Sequence, residues 1–371
     1  MEKVNKILFI TPTLERTGSE IVLYNLINAI DKKFQFSILS IYKGKLYDGF
    51  NADKSYLLSE RSNTFLGRIQ KKIAFSITLP LKLYKNRNCT WYINTIVLTH
   101  VLKYAKKYNV KCIIHTHELD HMFSLLGKED KENLITAPYL VIANSGQSSK
   151  VFEKNGYNKA MEICYPFIDS KKYAFDKEKY NSTRSTLNLS NTNFTWLMCG
   201  TIDQNKNPEL FIQIAEHFFK TKPGARFIWL GDNTDNPEYK NKCLQKSKHL
   251  TNLTWVHEKG EKYIDYINAC DGFVLSSQFE SFSIVTLEAL ALGKPVVAND
   301  CQGVSEIINS DDIGIIINEK NNLQKFCEQI TLVMDGKKNI NTQKAIDRSR
   351  QFDINISVNK WNSILNKYIN E

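Results

Sequence analysis

At 371 residues with 42% hydrophobic content, the chain is too long for one ordinary core and too short for three, so two domains are expected. Its net charge of +10 is uneven, because residues 61–117 hold eleven basic residues (Arg61, Arg68, Lys71, Lys72, Lys82, Lys85, Arg87, Lys103, Lys106, Lys107, Lys111) and no Asp or Glu. Every apolar run is broken by Lys, Asn or Asp before the ~18–20 residues needed to cross a bilayer, and residues 7–10 are too short for a signal-peptide core, so a cytoplasmic protein without a membrane span is expected.

The first half alternates strands and helices. Residues 6–11 read as a strand, a loop with Gly18 follows, and residues 20–30 carry helical spacing (Ile21, Leu23, Leu26, Ile27). Further strands fit residues 36–41, 91–94, 111–115 and 139–143, a parallel-sheet rhythm. Residues 65–79 place Phe65, Leu66, Ile69, Ile73 and Ile77 near one helical face, flanked by Arg68, Lys71 and Lys72. That face suits a membrane interface or burial in the core. The basic stretch attracts phosphorylated substrate or anionic lipid, or is a solvated face. It carries no nucleic-acid-binding motif, so no nucleic acid partner is expected.

Residues 170–193 are polar and read as a linker between a first domain, 1–169, and a second, 194–353. In the second, strands fit residues 195–199, 226–230, 253–256, 272–276, 295–298 and 314–317; Pro208 opens a helix and Gly293 closes one. Residues 354–371 form a last amphipathic helix. The eight cysteines lack a Cys-x-x-Cys pair and read as core residues of a reducing compartment, and His115/His117 is the only close His pair. No metal is expected.

Residues 280–297 are the most informative. The helix over 282–292 has Glu288 as its only ionisable residue. A carboxylate in so apolar a helix needs partners, and vicinal ribose hydroxyls would supply them. Glu280 stands just ahead of a helix N-terminus able to hold phosphate. A nucleotide sugar satisfies both, although two acids capping or pairing locally would also explain them.

The spacing Glu280-x7-Glu288, then Ala289-Leu-x-x-Gly293-x-Pro-Val-Val297, with Gly303 and Glu306, resembles the donor-domain signature of glycosyltransferase family 4. Gly200 to Lys206 resembles that family's glycine turn and diphosphate-binding lysine, and residues up to Gly231 and Val256 its base-binding loops. Thr17, Gly18, Ser19 and Glu20 resemble its phosphate-approaching loop, and His117-Glu118 a motif on the acceptor side. Asn144-Ser145 before a helix and residues 165–169 at the domain exit follow the family too.

The resemblance implies an α/β GT-B fold, two Rossmann-like doubly wound domains facing across an interdomain cleft, with the C-terminal helix packing back on the first domain; a plain cap on the second is the other reading. It implies retaining transfer of a hexose or N-acetylhexosamine from a nucleotide sugar, UDP-linked, to a glycan or lipid-linked acceptor in bacterial surface polysaccharide assembly, without cofactor or metal. Lys206, Glu280 and His117 are the implied catalytic residues. Gly18, Gly200, Thr201, Gly231, Val256, Phe282, Ser283, Ile284 and Glu288 join Lys206 and Glu280 around the donor, and His117 and Glu118 face the acceptor. His117 also fits a satisfied structural histidine, and His115 is read as structural. One departure stands out: where many members have Arg, this chain has Thr201 and Asn205, leaving Lys206 as the loop's expected cation. A non-catalytic sugar-nucleotide-binding subunit and a GT-B epimerase are the alternative readings, and an anionic membrane surface is a further expected partner.

Overall fold

The structure, a computed structural model, describes residues 5–15, 18–50, 52–60, 64–232, 234–257, 260 and 262–369. Thr17 and Arg61 lie outside these, as do the side chains of Phe65 and Leu66. The chain forms two compact units, residues 1–167 with 355–371, and residues 168–354.

In the first unit the described strands are β1 (Asn5–Thr11), β2 (Phe34–Tyr42), β3 (Lys54–Ser59), β4 (Thr90–Asn94), β5 (Cys112–Thr116), β6 (Leu140–Ala143) and β7 (Ala160–Ile163). They make one parallel sheet in the order β3-β2-β1-β4-β5-β6-β7. Strands buried on both faces must be apolar throughout, and Ile7, Leu8, Phe9 and Ile10 are fully buried. The order reverses between β1 and β4, and in such sheets ligands gather beyond the C-terminal strand ends at that reversal. Helix Ile354–Ile369 belongs to this unit: Trp361 is fully buried, its ring 5.9 Å from Tyr92 and 6.1 Å from Phe9, and its Nε1–H donates to Tyr92 Oη at 2.9 Å.

The second unit repeats the plan with β8 (Thr195–Cys199), β9 (Arg226–Leu230), β10 (Leu253–Val256), β11 (Gly272–Leu275), β12 (Val296–Asn299) and β13 (Ile315–Ile317), in the order β10-β9-β8-β11-β12-β13. All are parallel and the reversal falls between β8 and β11. Asn207 caps helix Pro208–Thr221, and Gly293, at φ +67°, ends the preceding turn of helix Ile284–Ala291.

Residues 170–193 are polar, yet they fold onto this unit. Helix Lys177–Thr186 carries Arg184, 1% exposed, which donates to Asp271 (3.0 Å) and to the carbonyls of Ala269, Ser190 and Asn193. One buried guanidinium thus does the anchoring that apolar residues do elsewhere.

Candidate active site

Two groups of sequence-derived residues come together, one in each unit. In the second unit, the loop leaving β8 holds Gly200, Thr201 and Lys206, and the segment leaving β11 holds Glu280. Lys206 Nζ lies 2.6 Å from Glu280 Oε1. Burial works against the ammonium, but the Glu280 charge, its hydrogen bond and Asp203 carry the Lys206 pKa above the ordinary lysine value. Asp203 shapes the loop by accepting the Lys206 amide (2.8 Å) and the Thr201 hydroxyl.

Asn205 is not a vacant place for a cation. Its Nδ2 donates to Phe279 O and its Oδ1 accepts from Phe279 N, both at 3.0 Å, so it ties the lysine loop to the segment carrying Glu280. That segment is fixed from the other side as well. Glu280 N donates to Cys301 O (2.9 Å), and Gly303 N donates to Glu280 O (2.8 Å). A Cβ on Gly303 would stand 2.1 Å from Ser281 O, so only glycine fits there.

The floor of the group is a row of strand ends. Gly200 N donates to Leu230 O and Gly231 N to Val256 O, each at 2.9 Å. Gly231 has φ +128°, and a Cβ there would meet Gly200 O at 2.3 Å. Phe282 is buried with its ring 5.2 Å from Phe352. The helix begins at Ile284 rather than at 282, because Ser283 is extended (φ −85°, ψ 93°). The Ser283 side chain accepts from Thr286 Oγ1 at 2.9 Å and leaves the first helical amides uncapped, an arrangement suited to an anion.

Glu288, in the second turn of that helix, is 4% exposed. Its Oε1 accepts from Tyr173 Oη at 2.7 Å and from Tyr263 Oη, while Oε2 is buried without a partner. Burial pushes the carboxyl up to about 7, and the two tyrosine hydroxyls oppose the rise. Cys199 feels the charges of both Glu288 and Lys206, which places its thiol in the same field. Tyr173 and Tyr263 belong to no motif, and nothing in their local sequence marks them.

In the first unit, His117 follows β5 and donates through Nε2 to Asn94 Oδ1 at 3.0 Å, at the end of β4. That bond leaves the Nδ1 lone pair as the basic position, and burial holds the imidazole down to about 4, so it is neutral at pH 7. Glu118, read from the sequence as facing the acceptor, is engaged inward: it accepts from the Thr95 hydroxyl, Ile96 N (3.3 Å), Thr116 Oγ1 (3.2 Å) and His117 N (2.9 Å). Thr95 has φ +83°, a costly conformation for a β-branched residue. Glu118 therefore holds the turn that follows Asn94. His115 is fully buried and accepts from Tyr92 Oη at Nδ1 (2.8 Å). Gly18 opens helix Gly18–Asn28 after β1, beside a Ser19 hydroxyl that donates to Glu20 (2.7 Å). In the sheet, β4 separates β1 from the His117 strand.

Residues 180–351 match the family Glycosyl transferases group 1. Over 369 residues the chain is 25% identical to the N,N'-diacetylbacillosaminyl-diphospho-undecaprenol alpha-1,3-N-acetylgalactosaminyltransferase of Campylobacter jejuni, covering 97% of this chain and 89% of that one. It is 23% identical over 287 residues (69% of this chain, 72% of the other) to the UDP-Gal:alpha-D-GlcNAc-diphosphoundecaprenol alpha-1,3-galactosyltransferase of Escherichia coli. Its fold is that of Anabaena HepE, crystallised with UDP-glucose, at TM-score 0.82 and 20% identity, over 98% of this chain and 99% of that one. With its two doubly wound sheets the chain has the GT-B fold seen in HepE, and residues 180–351, within its second unit, match the Glycosyl transferases group 1 family.

Proposed function

We propose that the protein transfers a hexose or N-acetylhexosamine, with retention, from a UDP-sugar to a glycan carried on undecaprenyl diphosphate. The observation that carries this is the second-unit group, where a lysine, uncapped helix amides and a buried carboxylate with a free oxygen surround one strand-end row. The relatives named above act on diphospho-undecaprenol acceptors, and one uses UDP-Gal. Glycosyl transfer passes through an oxocarbenium-like state while negative charge grows on the departing diphosphate. Lys206 and the amides at the start of helix Ile284–Ala291 stabilise that charge. Phosphate draws Lys206 from Glu280, freeing Glu280 to accept from donor-sugar hydroxyls, and Glu288 accepts from the ribose. In the first unit, neutral His117 offers Nδ1 to the acceptor hydroxyl.

The acceptor's lipid carrier places the reaction at a membrane surface. No helix among the described residues is long and apolar enough to cross one. The helical segment from Phe65 to Lys85 instead leaves Ile69, Ile73, Ile77 and Leu81 exposed (43, 50, 56 and 55%), beside exposed Arg68, Lys71, Lys72 and Lys85. Residues four apart drift around an α-helix, and the π-helical turn Ala74–Thr78 takes up that drift and straightens the stripe. An apolar stripe flanked by cations fits the anionic face of a bilayer.

The test is mass spectrometry of the purified protein with a panel of UDP- and GDP-sugars and a short polyprenyl-diphosphate glycan. UDP release dependent on both substrates is the expected result. Donor binding without release from any pair would replace this reading with the non-catalytic subunit, which the shortage of cations between Gly200 and Lys206 favours.

A further inference from the structure

Glu288 is held by two groups that come from distant parts of the second unit. Tyr173 ends the short helical turn Ser170–Lys172, which Asp353 fixes by accepting from Ser170 N (3.1 Å) and Ser170 Oγ (2.5 Å). Tyr263 opens helix Tyr263–Ala269. The two segments are joined to each other: Asp176 N donates to Asn268 Oδ1 (3.1 Å), Asn268 Nδ2 donates to Asp176 O (2.7 Å), and Lys179 pairs with Asp265 at 3.0 Å. This frame brings the hydroxyls of Tyr173 and Tyr263 to 3.1 Å from one another and both onto the same carboxylate oxygen.

Each hydroxyl has one proton. With both given to Oε1, that oxygen is saturated, the carboxylate cannot rotate without losing two hydrogen bonds, and Oε2 is left as a buried acceptor with no partner. A buried orphan acceptor is costly unless something completes it. We infer that Tyr173 and Tyr263 are positioning residues of the donor site, a clamp that aims Glu288 Oε2 at a ribose hydroxyl of the nucleotide. The inference rests on the reading of Glu288 as the ribose acceptor.

The clamp also sets the charge of that acceptor. Burial favours the protonated carboxyl, and the two hydroxyl donors favour the carboxylate. Among the described residues, Tyr173, Tyr263 and Cys199 are the ionisable groups that feel the charge of Glu288, and Cys199 feels that of Lys206 as well. Removing the hydroxyls raises the pH at which Glu288 becomes the ionised acceptor of a ribose hydroxyl, a shift that a merely structural role for the rings would not produce.

The experiment is calorimetry of the full chain with UDP and with 2′,3′-dideoxy-UDP between pH 6 and 9, for wild type, Glu288→Gln, Tyr173→Phe, Tyr263→Phe and the double Phe variant. Wild type should prefer UDP, and Glu288→Gln should abolish the preference. The double variant should bind dideoxy-UDP as wild type does, which also reports folding, while its preference for UDP falls about tenfold and the pH midpoint of UDP affinity moves up. Wild-type preference and midpoint in the double variant, and in each single variant, would overturn the clamp while leaving Glu288 as ribose acceptor. Retained preference in Glu288→Gln would overturn that reading and the clamp with it.

Discussion

The ammonium of Lys206 and the carboxylate of Glu280, 74 positions apart in the chain, stand 2.6 Å from each other. The cation expected to hold a diphosphate is thus paired with a carboxylate, and phosphate must compete with Glu280 for it. Glu280→Gln should therefore tighten UDP binding about fivefold, a gain of ~1 kcal/mol, while transfer falls at least about a hundredfold through loss of the sugar contact. Lys206→Ala should weaken UDP binding and transfer together. Calorimetry with UDP and a UDP-release assay check the split, and weaker UDP binding in Glu280→Gln would show that the pair stabilises the site rather than restraining it.

Asn205 and Thr201 should respond differently to arginine. Because both ends of the Asn205 amide hold the Phe279 backbone, Asn205→Arg releases the Glu280 segment, and donor affinity should fall. Thr201 gives up only a hydroxyl bond to Asp203, so Thr201→Arg should tighten donor binding by about 1.5–3 kcal/mol where the guanidinium reaches phosphate. Donor titrations of the two variants in parallel would expose the wrong assignment if their order reversed.

Gly303→Ala and Gly231→Ala both drive a methyl into backbone, at 2.1 Å from Ser281 O and 2.3 Å from Gly200 O. Each should destabilise the second unit by about 1–3 kcal/mol and abolish UDP binding. Gly336 also has positive φ (+65°) but nothing within 4 Å of its Cβ position. Gly336→Ala should cost about 1 kcal/mol and leave UDP affinity unchanged. Thermal melts with and without UDP separate the two behaviours.

On the acceptor side, Glu118→Gln should leave UDP binding intact and lower transfer about tenfold, because the turn carrying Asn94 loosens. His117 gives a pH signature. Its folded pKa, about 4, lies below the ordinary histidine value of 6.5. Between the two the unfolded chain binds a proton that the folded chain refuses, so stability is full above the ordinary value and falls as pH drops toward 4. His117→Gln should flatten that acid-side loss by roughly 3 kcal/mol, measured by denaturant melts from pH 4 to 8. An unchanged acid limb would mean that His117 titrates normally.

Vesicle flotation tests the exposed stripe. Binding to anionic vesicles at low salt should weaken with added salt; Lys71→Glu with Lys72→Glu should reduce it at least about thirtyfold, each basic residue contributing ~1 kcal/mol, and Ile73→Glu should reduce it as well. Wild-type protein left in the pellet with anionic lipid at low salt would end the membrane reading and leave the transferase assignment in place.

Sequence alone located the strands that are buried on both faces. Residues 195–199 and 226–230 are read with the bounds the structure has, because a central parallel strand has no polar side and stands out as an apolar run. The edge strands β3 (Lys54–Ser59) and β7 (Ala160–Ile163) escaped, since their polar and half-exposed residues break the apolar run, whereas the edge strands β10 and β13 keep enough apolar residues to be read. The buried state of Glu288 was also legible, as the only ionisable residue of an apolar helix. Tertiary structure alone decided what holds it. Tyr173 and Tyr263 stand 115 and 25 positions away, and their convergence depends on Asp176 and Asn268 joining two segments that no local pattern connects. The same is true of Asn205, whose amide looks like a missing charge in the sequence and is a crosslink in the fold. Periodicity records which side of an element is dry, whereas a hydrogen bond between distant side chains leaves no periodic trace.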